Sequence, residues 1–146
     1  MMALKKVNAE ASVGESFLVD LKARDHALVI DQPKIGGGAD QGPTPLEYFF
    51  FALGGCICTI ARIVANQKRI ALRNITCRVE GELNMDVLMG KSSEDRAGFQ
   101  NMKVYTTIDA DMSKEEKELF LKEVDARCPI SDNVQSTSAV EFIVEG

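Results

Sequence analysis

From residue 48 to residue 61 the chain runs fourteen positions without a charge, and this segment constrains the fold more than any other. Thr44 and Pro45 precede it as an N-cap type and a proline suited to the first helical turn, and Glu47 follows where the helix dipole favours an acid. Polar residues return at Asn66, Gln67, Lys68 and Arg69. The pattern predicts a helix that is apolar nearly all round and buried on every side, with its far end reaching solvent. Fourteen residues are too few to cross a bilayer core of about 30 Å, so no membrane partner is expected. Gly54 and Gly55 interrupt the segment. Each glycine costs a helix about 1 kcal/mol against alanine, so the pair implies a close backbone contact or a kink.

Strand patterns lie on both sides of this helix. Residues 4–13, 16–23 and 27–30 read as three short strands of a meander, with Phe17, Val19 and Leu21 alternating against polar neighbours. Residues 32–44 hold Pro33, Gly36, Gly37, Gly38, Gly42 and Pro43 and read as a loop. After the helix, alternation from Ile75 through Cys77, Val79 and Leu83 to Met89 predicts one long strand over 72–89. A turn over 90–98 and a second strand up to Asp109 complete a hairpin. Ser113 and Glu116 form a capping box for a helix ending near Arg127, with Leu119, Phe120 and Val124 on one face. A short helical turn over 131–135 and a closing strand over 139–145 finish the order βββ, α, ββ, α, β, an α+β fold with antiparallel sheet.

At 146 residues and 45% hydrophobic content, the chain fits one domain over 1–146 that buries its own core. It has difficulty covering so apolar a helix alone, which predicts a homodimer. A net charge of −5 with scattered Lys and Arg gives no basic face for nucleic acid. Lys5 and Lys6 are followed by polar residues and not by an apolar leader, so a cytoplasmic location is expected.

In such a reducing compartment the four cysteines are not expected to form a disulfide framework. Cys56 and Cys58, two apart on a helix, do not face each other, and C-x-C with the distant His26 lacks zinc-site spacing, so no metal is expected. Cys58, among Ile57, Ile60 and Ile63, and Cys77, on the apolar face of its strand, read as small buried hydrophobes. Cys56 follows the glycine pair and Cys128 precedes Pro129 at a predicted helix end. On these residues alone two readings stay open, a redox pair or two unrelated core thiols. His26, at a strand end, reads as a hydrogen-bonded structural residue, with general acid–base chemistry as the alternative.

Residues 43–56, from Pro43 through Pro45, Glu47 and the apolar run to Gly54, Gly55 and Cys56, resemble the proline, acid and apolar helix that lead to the first cysteine of the OsmC/Ohr family. Cys128-Pro129-Ile130-Ser131 resembles its second cysteine motif, and residues 26–31 with the Gly-Gly-Cys ending are closest to the OsmC-like branch. The resemblance implies an intertwined homodimer of antiparallel sheets around a buried central helix. It also implies a cysteine-based peroxidase that reduces organic hydroperoxides in oxidative stress defence, recycled by a dithiol and without cofactor. Carried over, Cys56 is the peroxidatic thiol, Cys128 the resolving thiol and Glu47 the acid, nine residues before Cys56 instead of the family's ten. On an ideal helix nine residues separate opposite faces, and a dipole partner at the helix start is the other reading of Glu47. Mild oxidation is then expected to join Cys56 to Cys128 and to spare Cys58 and Cys77. The competing reading is a non-enzymatic dimer of the same fold that binds a small apolar ligand around residues 48–51, or senses oxidation.

Overall fold

A computed structural model describes residues 2–146 and divides them into two compact units, one up to Phe49 and one over Phe50–Gly146. In the first, β1 (Glu10–Val13), β2 (Val19–Ala23) and β3 (His26–Ile30) form an antiparallel meander in the order β1-β2-β3. Val13 pairs with Val19, and Ala23 with His26 across a two-residue turn in which Arg24 takes φ 54°. The first strand is shorter than its mixed pattern suggested, since pairing with β2 begins only at Glu10.

The glycine-rich loop that follows is ordered by one buried carboxylate. Asp31, 1% exposed, accepts backbone N–H bonds from Gln32 at 2.8 Å, Ala39 at 3.2 Å and Gln41 at 3.0 Å. These donors, Gln41 first, hold its carboxyl below the usual carboxylate range. The loop packs so tightly that a side chain at Gly38 would collide with the Gln32 carbonyl and the Asp31 carboxylate. Its only regular piece is a 3₁₀ turn over Lys34–Gly36.

The long helix α1 (Pro45–Lys68) begins at the end of this unit and runs into the second. Its first turn carries a reciprocal cap that the sequence reading put only as a cap type and a dipole partner. The Glu47 carboxylate accepts the Thr44 N–H at 2.8 Å and the Thr44 hydroxyl at 3.0 Å, while Thr44 Oγ1 accepts the Glu47 N–H at 3.3 Å. At 24 residues the helix has the length and hydropathy of a membrane span, which the uncharged segment alone did not show. Its apolar residues are not buried all round within the chain. Leu53, Ile57, Ala61 and Val64 form a core stripe at helical spacing, whereas Phe49, Phe51 and Ile63 are exposed.

In the second unit, β4 (Asn74–Leu83) pairs antiparallel with β5 (Phe99–Asp109), with Cys77 opposite Thr106 and a bulge at Glu82/Leu83. The predicted strand over 72–89 stops early. Asn84 accepts the Asp86 N–H at 3.0 Å and caps a short helix α2 (Met85–Leu88), a local bond that competes with the strand ladder. The expected capping box is present at α3 (Lys114–Arg127), where Ser113 and Glu116 exchange bonds of 3.1 Å each. Phe120 and Val124 are its buried residues, while Leu119 is exposed. The short helix α4 (Pro129–Gln135) starts two residues before the expected turn, because Pro129 fits the first helical position.

The core of this unit joins the α1 stripe to Leu72, Ile108, Phe120, Val124 and Cys128. The closing strand predicted for 139–145 does not form among the described residues. Alternating residues there find no strand to pair with, and Val140, Phe142, Ile143 and Val144 are exposed. The whole is an α+β arrangement of two small antiparallel sheets and helices.

Candidate active site

Two of the sequence-predicted site residues meet in the second unit. Cys56 lies at the middle of α1, half-buried, and Cys128 is fully buried at the junction of α3 and α4. The Cys128 thiol points at Cys56, and their Sγ atoms are 3.0 Å apart. A disulfide needs about 2.05 Å, so joining the pair requires little motion.

Cys128 is held from both sides. Its N–H donates to the Asp125 carbonyl at 3.2 Å, closing α3, and its Sγ accepts the Ser131 N–H at 3.5 Å, opening α4. A cysteine thus stands where serine or aspartate usually caps a helix. Burial first, then the bond to Cys56, pushes the Cys128 thiol up, against backbone donors that act in the opposite direction. At neutral pH it is a protonated thiol, suited to receive an activated sulfur and not to attack a peroxide first.

Ser131 organises the junction. Its hydroxyl donates to the Asp125 carboxylate and accepts from Gln135 Nε2 at 2.8 Å, so one buried residue ties the last turn of α3 to α4. From the sequence, Ser131 enters only as part of the second cysteine motif and residue 135 only as the end of a helical turn, and Asp125 is not singled out. The visible signal was Ser131 three residues after Cys128, with Pro129 between, which is the spacing of a helix start.

A cleft of about 640 Å³ opens beside this junction, with Leu53, Ile57 and Phe99 among its apolar lining and Arg96, Lys122 and Ser131 among its polar lining. Leu53 and Ile57 flank Cys56 along α1, although neither sulfur itself lines the cleft. Of the remaining candidates, Glu47 is exposed and bonded in its own helical cap, and those bonds hold its carboxyl below the usual range. His26 and Arg24 are exposed at the turn between β2 and β3. Among the described residues no group of three or more His, Cys, Asp or Glu is placed to hold a metal ion.

The family model of OsmC-like proteins matches residues 37–143, a span that includes both cysteines of the pair. The chain belongs to the OsmC-like protein family. Its fold is similar to the OsmC-like protein of Mycoplasma pneumoniae, with TM-score 0.79 and 21% identity over 91% of this chain and 89% of that one. It is also similar to an organic hydroperoxide resistance protein OsmC of Legionella pneumophila, with TM-score 0.68 and 22% identity over 92% of each chain. An organic hydroperoxide resistance protein of Elizabethkingia anophelis, solved with thiocyanate bound, aligns with TM-score 0.69 and 19% identity over 94% and 93%. At such identities the likeness establishes the fold. No curated protein sequence matches the chain.

This OsmC-like chain has a second feature that cysteine spacing did not disclose. Cys58 and Cys77, read from the sequence as unrelated small hydrophobes, are both half-buried, and their sulfurs are 3.8 Å apart. Cys77 faces another thiol.

Proposed function

We propose that the protein is a thiol peroxidase that reduces organic hydroperoxides in oxidative stress defence, with Cys56 as the peroxidatic and Cys128 as the resolving thiol. The observation that carries this reading is the 3.0 Å approach of the two sulfurs at a helix junction that fixes one of them. Its similarity to proteins described as conferring organic hydroperoxide resistance supports the substrate class.

In the first step the Cys56 thiolate attacks one peroxide oxygen, the O–O bond breaks, an alcohol leaves with a proton, and Cys56 becomes a sulfenic acid. In the second, the Cys128 sulfur displaces hydroxide from Cys56, the thiol proton completes a water, and a disulfide forms. A dithiol then reduces that disulfide by exchange, restoring both thiols. None of these steps needs a cofactor. The apolar lining of the cleft favours a greasy substrate over hydrogen peroxide. The test is consumption of cumene hydroperoxide in the presence of a dithiol, expected to outpace consumption of hydrogen peroxide. No dithiol-dependent loss above that of Cys56→Ser would leave an apolar-ligand binder in the cytoplasm as the better account.

The resemblance assigns Glu47 the role of the acid, and the Thr44 cap maintains its charge. Glu47→Gln keeps an acceptor for the cap and removes the charge. It is expected to slow peroxide reduction by about 10²-fold and to lower the melting temperature only slightly, because the cap and the helix dipole favour the charged form. Equal rates in wild type and variant would confine Glu47 to capping.

The exposed apolar residues of α1, Phe49, Phe51 and Ile63, fit coverage by a second copy of the chain. Sedimentation at micromolar concentration is expected to give a homodimer, and a monomer would remove that part of the reading.

A further inference from the structure

Residues two apart on a helix point about 200° apart, so α1 turns Cys56 and Cys58 toward different neighbours. Cys56 meets Cys128, and Cys58 meets Cys77 on β4. The second approach follows the packing of α1 on β4, already seen at Gly54, one turn before Cys58. A Cβ at position 54 would meet the Cys77 Cβ and Val79 Cγ2 at 3.5 Å, an ordinary van der Waals distance, so the helix lies directly over the strand at this point. Cys58, on the same helical face one turn later, is then carried to within 3.8 Å of the Cys77 sulfur.

These thiols are not sealed in the core. They line a pocket of about 420 Å³ with Phe50, Phe51, Gly54 and Gly55, on the far side of α1 from Cys128 in helical phase. The sulfurs must close by a little under about 2 Å to reach disulfide length, a movement within the reach of side-chain rotation.

We propose that Cys58 and Cys77 are a second dithiol centre, oxidised by an organic hydroperoxide to a disulfide that ties α1 to β4. It does not depend on activity at Cys56. The Cys58 thiolate attacks the peroxide, the O–O bond breaks, and the alcohol leaves with a proton, giving a sulfenic acid. The Cys77 sulfur then displaces hydroxide from Cys58, and its proton completes a water. The two thiols lose two electrons and the peroxide gains two. Burial, reinforced by Cys58, pushes the Cys77 thiol up to about 11, which assigns the resolving role to Cys77 and makes that step slow at neutral pH. The centre therefore responds to sustained peroxide, after the Cys56 pair.

The experiment uses Cys56→Ser/Cys128→Ser, which leaves only this pair. Prolonged cumene hydroperoxide is expected to lower its free thiols from two per chain to none, with a Cys58–Cys77 bridge in peptide maps that dithiothreitol reverses. In the triple variant that also carries Cys77→Ser, a sulfenic acid trapped by dimedone is expected at Cys58. Persistence of both thiols, or bridges between chains only, overturns the proposal. Should that variant fail to fold, the same map on oxidised wild type decides. Two bridges, 56–128 and 58–77, support it, and a 56–128 bridge alone overturns it. Loss of the 56–128 bridge with retention of 58–77 would instead count against the proposed peroxidase.

Discussion

Cys56→Ser is expected to lower dithiol-dependent reduction of cumene hydroperoxide by at least about 10²-fold, because a hydroxyl that stays protonated at neutral pH is a far weaker nucleophile than a thiolate. The fold tolerates the change well. Cys56 is only half-buried and packs at the edge of the core stripe, and serine is close to it in volume. The comparison of rates therefore reads chemistry and not unfolding, provided the melting temperature is unchanged. Whatever activity is left belongs to Cys58 and Cys77 and is expected to vanish in Cys56→Ser/Cys58→Ser. A single variant at Cys56 with the wild-type rate would remove the residue from its proposed role.

The second large effect is at Cys128. Cys128→Ser keeps the helix start, since a serine oxygen accepts the Ser131 N–H at least as well as a sulfur held at 3.5 Å. It removes the thiol 3.0 Å from Cys56, while Cys58 points to another face of α1. One peroxide is then expected to be reduced at Cys56, after which dimedone labels Cys56 in nearly every chain, whereas wild type shows the label only in traces. Under excess peroxide the variant is expected to gain a second oxygen at Cys56, a sulfinic acid that a dithiol does not reverse. Mass spectrometry of the peptide that contains Cys56 distinguishes these states. A wild-type pattern in the variant would mean that another thiol resolves Cys56.

Much of the secondary structure is a local property and could be read residue by residue. The Ser113 capping box, the proline at the start of α1 and of α4, and the alternation through Cys77 each depend on neighbours a few positions away. One departure from the pattern has a local cause and one a long-range cause. Asn84 captures the Asp86 N–H and ends β4 where hydropathy alone continued it. The alternating residues over 139–145 carry a strand pattern, but a strand exists only with a partner to bond.

For the candidate site, the sequence by itself determined which thiols stand in unusual backbone contexts, Cys56 after two glycines and Cys128 before a proline, and that Cys56 cannot pair with Cys58. Distances between residues 72 positions apart are set by how helices and strands pack, and no spacing encodes them. Only the tertiary structure placed Cys128 3.0 Å from Cys56, tied α3 to α4 through Asp125, Ser131 and Gln135, and, by packing α1 on β4, brought Cys58 within 3.8 Å of Cys77.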